Sequence, residues 1–182
     1  GQAFLAAMEK KGMPTDTGII GVNMNVENEA LNHRIQAFRD YIAANAPALK
    51  MTETYYNNNV VENSQTNAEN IISSYGKELI GMYSGNNITA DGVCNAVRGA
   101  GLGEKFVSVG VDSDDIEIKA LRDGFLDAIV VQNAYEQGYK CMENAIRTVV
   151  TGANPETEKQ INCPPVIVTT DNIDSAEIEF IM

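Results

Sequence analysis

Basic residues are scarce in this sequence. It has 13 Lys and Arg residues against 25 Asp and Glu residues, which gives a net charge of -12 at pH 7. A strongly negative protein repels polyanions, so the composition argues against nucleic acid and against an anionic membrane surface as partners. Small neutral ligands remain compatible with this charge.

Cysteines and long apolar stretches are also rare. The three cysteines, Cys94, Cys141 and Cys163, show no Cys-x-x-Cys spacing, so the sequence indicates neither a disulfide framework nor a zinc site. No stretch reaches the roughly 18 consecutive apolar residues of a membrane helix. What remains is a chain of 182 residues that is 44% hydrophobic, which is enough for a domain with its own core.

Apolar runs alternate with segments of helical periodicity along the whole chain. Strands are predicted at 18–23, 50–56, 79–84, 106–111, 126–131 and 165–169, and helices fill the segments around them. Runs that are apolar on both faces are typical of parallel sheets covered by helices. With right-handed crossovers, this order predicts an α/β fold, namely a doubly wound parallel sheet with helices on both faces.

The apolar run 106–111 ends at Asp112, which is followed by Ser113, Asp114 and Asp115. Ligands of open α/β sheets bind outside the carboxyl ends of the strands, so Asp112 is a candidate site residue. Ser113 or Asp114 could instead cap the next helix. Asp112 lies one residue too early for that role.

Polar residues, most of them amides, follow every predicted strand but the last. They are Asn23, Asn25, Asn57, Asn58, Asn59, Asn86, Asn87, Asp112, Gln132 and Asn133. Each amide head offers a hydrogen-bond donor and an acceptor, so the set suits a polyol or a sugar. For any single Asn, a purely local role in a turn remains open.

Residue pairs that would carry catalysis are missing from this set. His33 is the single histidine, and no Ser or Cys is paired with a base, so the residues indicate binding instead of catalysis. Asp112, Asp114 and Asp115 lack the remaining ligands of a calcium loop. We therefore predict no enzyme activity, no metal and no cofactor.

Six short stretches carry a resemblance to a known family. In order, they are NHRIQAF (32–38), GMYSGNN (81–87), SVGVD (108–112), IEIKALRDG (116–124), AIVVQN (128–133) and VIVTT (166–170). Together they make the chain resemble the carboxyl-terminal half of a type I periplasmic solute-binding protein of the ribose-binding kind. Each stretch is short, but six of them in the same order are specific.

The resemblance implies four ligand-binding residues. In that family the ligand lies between two lobes, and the second lobe contributes an Arg, an Asn, an Asp and a Gln, which correspond here to Arg34, Asn86, Asp112 and Gln132. The Arg and the Asp would bind neighbouring hydroxyls, while the two amides would fix the orientation of the ligand.

Two further predicted ligand-binding positions depart from the ribose-binding pattern. Val111 stands where that pattern has a Phe, and Asn59 aligns with an aromatic residue. Aromatic faces are how such sites hold a sugar ring, so these changes leave the identity of the sugar open.

The implied function is the solute-binding component of an ABC-type sugar uptake transporter. Its ligand would be a monosaccharide, its partner a membrane permease, and its location extracytoplasmic, in the periplasm or as a cell-surface lipoprotein. Two alternatives remain. The effector-binding domain of a lactose-repressor-type transcription regulator shares the fold and the Arg, and a flavodoxin-like enzyme domain has a similar topology.

The resemblance also divides the chain. Residues 1–133 correspond to the second lobe, 134–164 to a helix and loop that in the family belong to the first lobe, and 165–182 to the returning strand and tail. The chain begins with Gly1, so we expect a piece of a longer protein with an open, weak ligand site. Helix 135–150 would expose an apolar stripe, which we expect to fold back or, preferably, to pair with a second chain.

Overall fold

The computed structural model describes residues 1–152 and 161–181. Its strands are β1 (Ile19–Met24), β2 (Lys50–Tyr56), β3 (Leu79–Ser84), β4 (Val107–Val111), β5 (Ala128–Val131) and β6 (Val166–Val168). Its helices are α1 (Gln2–Lys10), α2 (Glu29–Asn45), α3 (Val61–Tyr75), α4 (Asn87–Gly99), α5 (Asp115–Asp123), α6 (Ala134–Thr151) and α7 (Ala176–Ile181). The predicted alternation of strands and helices is confirmed, and α7 is an addition to it.

All six strands form one sheet in the order β2-β1-β3-β4-β5-β6. Strands β1 to β5 are parallel, as predicted, whereas β6 pairs antiparallel with β5. The expected parallel direction was therefore wrong for β6. Gln132, which follows β5, and Pro165, which precedes β6, line the same cavity. The chain therefore leaves β5 and enters β6 at the same end of the sheet, the carboxyl end of the parallel strands. An apolar run does not encode strand direction, and the sequence could not show this.

Helices cover both faces of the sheet. Val107 and Val109 of β4 join a buried cluster that contains Phe4 of α1 and Phe38 of α2. The opposite face packs against α3 and α4 through a second cluster that includes Met82. Burial of each large side chain contributes about 2 kcal/mol to the stability of the fold, so the core on both faces fixes the positions of the strands and of the loops that follow them.

Several of the polar residues that follow the strands cap the next helix. Asn28 accepts a hydrogen bond from the Leu31 N–H at 2.9 Å, and Asn133 accepts one from the Glu136 N–H at 2.9 Å. Asp114 likewise accepts from the Glu117 N–H at 2.9 Å. Such caps stabilise a helix start by about 1 kcal/mol. They also place helix N-termini, which favour negative charge, at the carboxyl edge of the sheet.

Helix α5 buries a charged residue where an apolar one is expected. By residue type, Ile116, Ile118, Ala120 and Leu121 are the apolar positions of this helix, yet Ile116 is 48% exposed while Glu117 is 0% exposed. The buried face runs through Glu117, Ala120 and Leu121, which is the i, i+3, i+4 spacing of one helix face. Periodicity alone could not indicate a carboxyl group at the first of these positions.

Helix α6 extends away from the core. The structure describes all of this helix, and none of its side chains is buried. The predicted loop 152–163 after it lies partly outside the described residues. None of the helices in the described ranges is both long and apolar enough to cross a lipid bilayer.

Candidate ligand-binding site

A cavity of about 480 Å³ opens at the carboxyl edge of the sheet. It is lined by Gly1, Gln2, Arg34, Ala37, Phe38, Tyr41, Tyr83, Val111, Val130, Gln132, Gln137, Cys163 and Pro165. Three of the residues predicted to bind ligand, Arg34, Val111 and Gln132, are among these. The volume lies within the range of small-molecule sites.

Arg34 projects from α2 towards the loop after β3. Its Nη1 donates a hydrogen bond of 3.0 Å to the carbonyl oxygen of Gly85. A guanidinium carries five N–H donors, so this anchor fixes the side chain while further donors remain for a ligand.

Asp112 and Gln132 form one polar unit. The Nε2 of Gln132 donates to Oδ1 of Asp112, and the Asp112 N–H donates to the Val130 carbonyl at 3.0 Å. Asp112 has a φ of 84°, a left-handed conformation that is uncommon for a non-glycine residue and is enriched at functional sites. Among the described side chains, no ion pair links Asp112 to Arg34. Asp112 is not among the described residues that line the cavity, whereas its partner Gln132 is.

Asn86 and Asn59 are not among the described residues that line the cavity. Asn86 is 8% exposed, and its Oδ1 accepts from the N–H and the hydroxyl of Thr89, which makes it the cap of α4. Asn59 accepts a hydrogen bond from Asn25 at 2.7 Å and has a φ of 61°. These are the local roles that the sequence left open for single Asn residues. Ligand contact by Asn86 and Asn59 stays a prediction.

Aromatic residues line the cavity although Val111 and Asn59 replace the aromatic residues of the ribose-binding pattern. The rings of Phe38 and Tyr83 stack with centroids 4.3 Å apart and planes 8° from parallel, and both line the cavity together with Tyr41. Burial raises the pKa of Tyr83 to about 12, with Arg34 acting against this rise. The phenol therefore stays neutral and can donate a hydrogen bond. Phe38 and Tyr41 lie at helical spacing in α2, and Tyr83 lies in β3, so sequence periodicity indicates only an apolar helix face and a strand at these positions and does not point to a ligand.

A larger groove runs along α1 to the amino ends of β4 and β5, with a volume of about 760 Å³. Its lysines are already engaged, because Lys10 pairs with Asp171 and Lys11 pairs with Asp127, each at 2.6 Å. Within the described ranges, no group of three His, Cys, Asp or Glu residues is placed to hold a metal ion. The cavity at the carboxyl edge therefore offers the better arrangement of polar and aromatic groups for a polyhydroxyl ligand.

Comparison with known families matches residues 1–153 to the model of the periplasmic binding protein domain. The match covers most of the chain. This protein belongs to the periplasmic binding protein domain family. The family is one of solute-binding proteins, and the resemblance found from the six short stretches is confirmed.

Solved structures with this fold include sugar-bound receptors. One is an ABC transporter solute-binding protein from Agrobacterium vitis with bound D-fucose, at 28% identity and a TM-score of 0.84; the match covers 100% of this chain and 60% of that one. Another is a carbohydrate transporter solute-binding protein from Agrobacterium radiobacter in complex with D-arabinose, at 25% identity and a TM-score of 0.86. That match covers 99% of this chain and 60% of the Agrobacterium radiobacter chain. This periplasmic binding protein domain thus spans about three fifths of the relatives it matches.

Proposed function

We propose that this chain forms the carboxyl-terminal part of the sugar-binding receptor of an ABC-type uptake transporter. The observation that supports it most is the cavity at the carboxyl edge, which is lined by Arg34, Gln132 and the Phe38–Tyr83 stack, with Asp112 beside it as the hydrogen-bond partner of Gln132. A guanidinium and a carboxylate bind adjacent hydroxyls, and an aromatic face packs on the C–H face of a sugar ring. A site that binds a compact polyol needs both kinds of group, because such a ligand presents both hydroxyls and C–H groups.

The ligand we propose is a monosaccharide. The relatives that carry D-fucose and D-arabinose support a single sugar ring as the substrate class, and a net charge of -12 agrees with a neutral ligand. The receptor would work outside the cytoplasm, in the periplasm or as a surface lipoprotein, and deliver its sugar to a membrane permease.

A ligand panel tests this function. In saturation-transfer NMR with this chain, D-fucose, D-arabinose and D-allose are each presented at millimolar concentration, and ATP and glycine serve as non-sugar ligands. We expect transfer to at least one monosaccharide and to neither control, with affinity in the millimolar range because a one-sided site buries little of its ligand. Binding of ATP without any sugar would favour the flavodoxin-like enzyme alternative instead.

The division of the chain is part of the same proposal. Residues 1–133 with 165–182 correspond to the lobe that carries most of the site, and 134–164 correspond to the helix and loop that in the family belong to the first lobe, although Gln137 and Cys163 also line the cavity. Six large apolar side chains of α6 are more than half exposed: Tyr135, Tyr139, Met142, Ile146, Val149 and Val150. Such a contiguous stripe is larger than soluble monomers normally leave in water. We propose that two copies of this chain cover it by pairing their α6 helices about a two-fold axis.

Ile146→Glu tests the pairing of α6. Ile146 lies in the middle of the apolar stripe and is 55% exposed, so a buried carboxylate there should convert a dimer into a monomer without disturbing the core. Sedimentation velocity at several protein concentrations measures the change. Thr148→Glu, which adds the same charge on the opposite face of α6, is the control and should remain dimeric. A wild-type chain that sediments as a monomer at every concentration would rule the pairing out.

A further inference from the structure

Three carboxyl groups meet between α4 and α5, beside β4. Glu117 is 0% exposed and Asp91 is 4% exposed. Within the described residues, Oδ1 of Asp91 has no hydrogen-bond partner, and neither oxygen of Glu117 has one at normal hydrogen-bond geometry, the Asp114 N–H being the one donor that stabilises its carboxylate. Asp114 completes the cluster, because it is close enough to Asp91 and Glu117 to raise the pKa of both. Unpaired buried carboxylates are too costly to persist as anions, so the cluster calls for a bound cation or bound protons.

The local packing favours protons over a metal ion. Oε1 of Glu117 lies 2.7 Å from the point where a Cβ on Gly110 would stand, and the Cβ of Ala90 lies 3.2 Å from the same point. The glycine therefore makes room for the carboxyl head and leaves little space beside it. No group of three acidic, His or Cys residues in the described ranges is arranged to hold a metal.

The hydrogen bonds show where one proton belongs. Asp114 Oδ1 accepts from the N–H groups of Ile116 and Glu117 at 3.0 and 2.9 Å, and its Oδ2 accepts from Asn87 Nδ2 at 3.3 Å. Asp114 thus acts as an acceptor throughout. Because Asp114 already accepts from three N–H donors, a proton shared between Asp114 and Asp91 belongs on Asp91.

The charged groups around the cluster also favour bound protons over free carboxylates. Asp112 faces it from the end of β4, and Cys94 faces it from α4. Arg98 acts on Cys94, but its guanidinium lies over the Phe125 ring at 4.9 Å and 3.7 Å from Asp123, so it does not pair with the cluster. Burial, followed by repulsion from Asp114, raises the pKa of Glu117 to about 9 and that of Asp91 to about 7.

We propose that Asp91, Asp114 and Glu117 form a proton-binding site whose occupancy holds α4 and α5 together and thereby positions Asn86 and Asp112. The link is direct, because Asn86 caps α4, Asn87 bonds to Asp114, and Asp112 lies two residues before Asp114. When the protons leave, three adjacent carboxylates repel one another and the two helix starts separate. The consequence for ligand affinity rests on the proposed function, but the proton site itself does not.

The sign of the pH dependence follows from linkage. Glu117 has a pKa near its ordinary value in the unfolded chain and a raised pKa of about 9 in the folded one, so folding takes up a proton between these values. Stability is therefore greatest at low pH within this window and falls as the pH rises towards 9. For one proton, the unfolding constant increases about tenfold per pH unit.

Urea unfolding of this chain between about pH 6 and 8 measures that slope, with Glu117→Gln and Asp115→Asn as the variants. When the decimal logarithm of the unfolding constant is plotted against pH, Glu117→Gln should have a slope that is lower than that of the wild type by about one. Asp115→Asn changes an exposed carboxyl on the same helix and should leave it unchanged. Equal slopes in all three proteins, or stabilisation by added sodium or calcium ions, would overturn the proton site.

A second readout tests the connection to the site without any sugar. Amide NMR signals of Asn86 and Asp112 should titrate with an alkaline midpoint in the wild type and in Asp115→Asn, and should lose that titration in Glu117→Gln. Signals that move identically in all three proteins would show that the cluster does not act on these residues. Because no sugar is present, this outcome is independent of whether the proposed function is correct.

Discussion

Replacing Asp112 with alanine is expected to weaken monosaccharide binding by about 2 to 4 kcal/mol, which is roughly thirtyfold to a thousandfold in Kd. In the proposed site, the substitution removes a charge that would bind ligand hydroxyls, and it leaves Gln132, its hydrogen-bond partner, without an acceptor. The measurement is an NMR titration of this chain with the sugar that gives the strongest transfer signal. Because the wild type is expected to bind in the millimolar range, the Asp112→Ala variant should show no saturation over the concentrations that saturate the wild type.

Asp112→Asn separates the charge from the backbone effect. The φ of 84° at Asp112 is strained for alanine but tolerated by Asn, so the Asn variant keeps the fold while losing the negative charge. It should still bind more weakly than the wild type. Asp115→Ala, three residues away and exposed, should bind normally. Unchanged affinity in both Asp112 variants would remove this carboxylate from the site.

Replacing Gly81 with alanine is expected to destabilise the fold by about 3 kcal/mol, the upper part of the range for overpacked cores. A Cβ at Gly81 would lie 2.3 Å from the carbonyl oxygen of Val107 and 2.7 Å from the ring of Phe4. Gly81 pairs with Val107 across β3 and β4, so the clash involves backbone that cannot move without opening the sheet. Thermal unfolding should show a Tm lower by about 6 to 12 °C.

Gly99→Ala is the matched control for this substitution. Gly99 is the last residue of α4, and an added Cβ there would meet no atom of the described residues within 4 Å. Alanine is the better helix former, so this variant should match or exceed the wild type by up to about 1 kcal/mol. If both alanine variants lost the same stability, the close approach of β3 to β4 would not be the cause.

The architecture could be predicted because it depends on patterns that sequence carries directly. The strands 50–56 and 79–84 were placed correctly, since apolar runs bounded by turn residues mark buried strands. The direction of β6 and the short α7 could not be placed, because both depend on where the chain returns to the sheet. The burial of Glu117 could not be predicted for a different reason, since a carboxyl group does not belong to the apolar pattern that identifies a buried helix face.

The site was only partly readable from sequence. Asp112 and Gln132 follow neighbouring strands of a parallel sheet, so their proximity follows from topology. The stack of Phe38 on Tyr83 joins α2 to β3, and no local pattern links residues so far apart. Asn86 shows the opposite difficulty, because a side chain that caps a helix and one that binds a sugar look alike in sequence.

The most direct test of the account is chemical-shift mapping of this chain with a monosaccharide. If the cavity at the carboxyl edge is the sugar site, the amide signals that move on titration should be those of Arg34, Tyr83, Val111 and Gln132, and they should saturate together. Shifts that instead follow the groove along α1, or no saturable shift with any monosaccharide, would contradict the assignment of this cavity as the sugar-binding site.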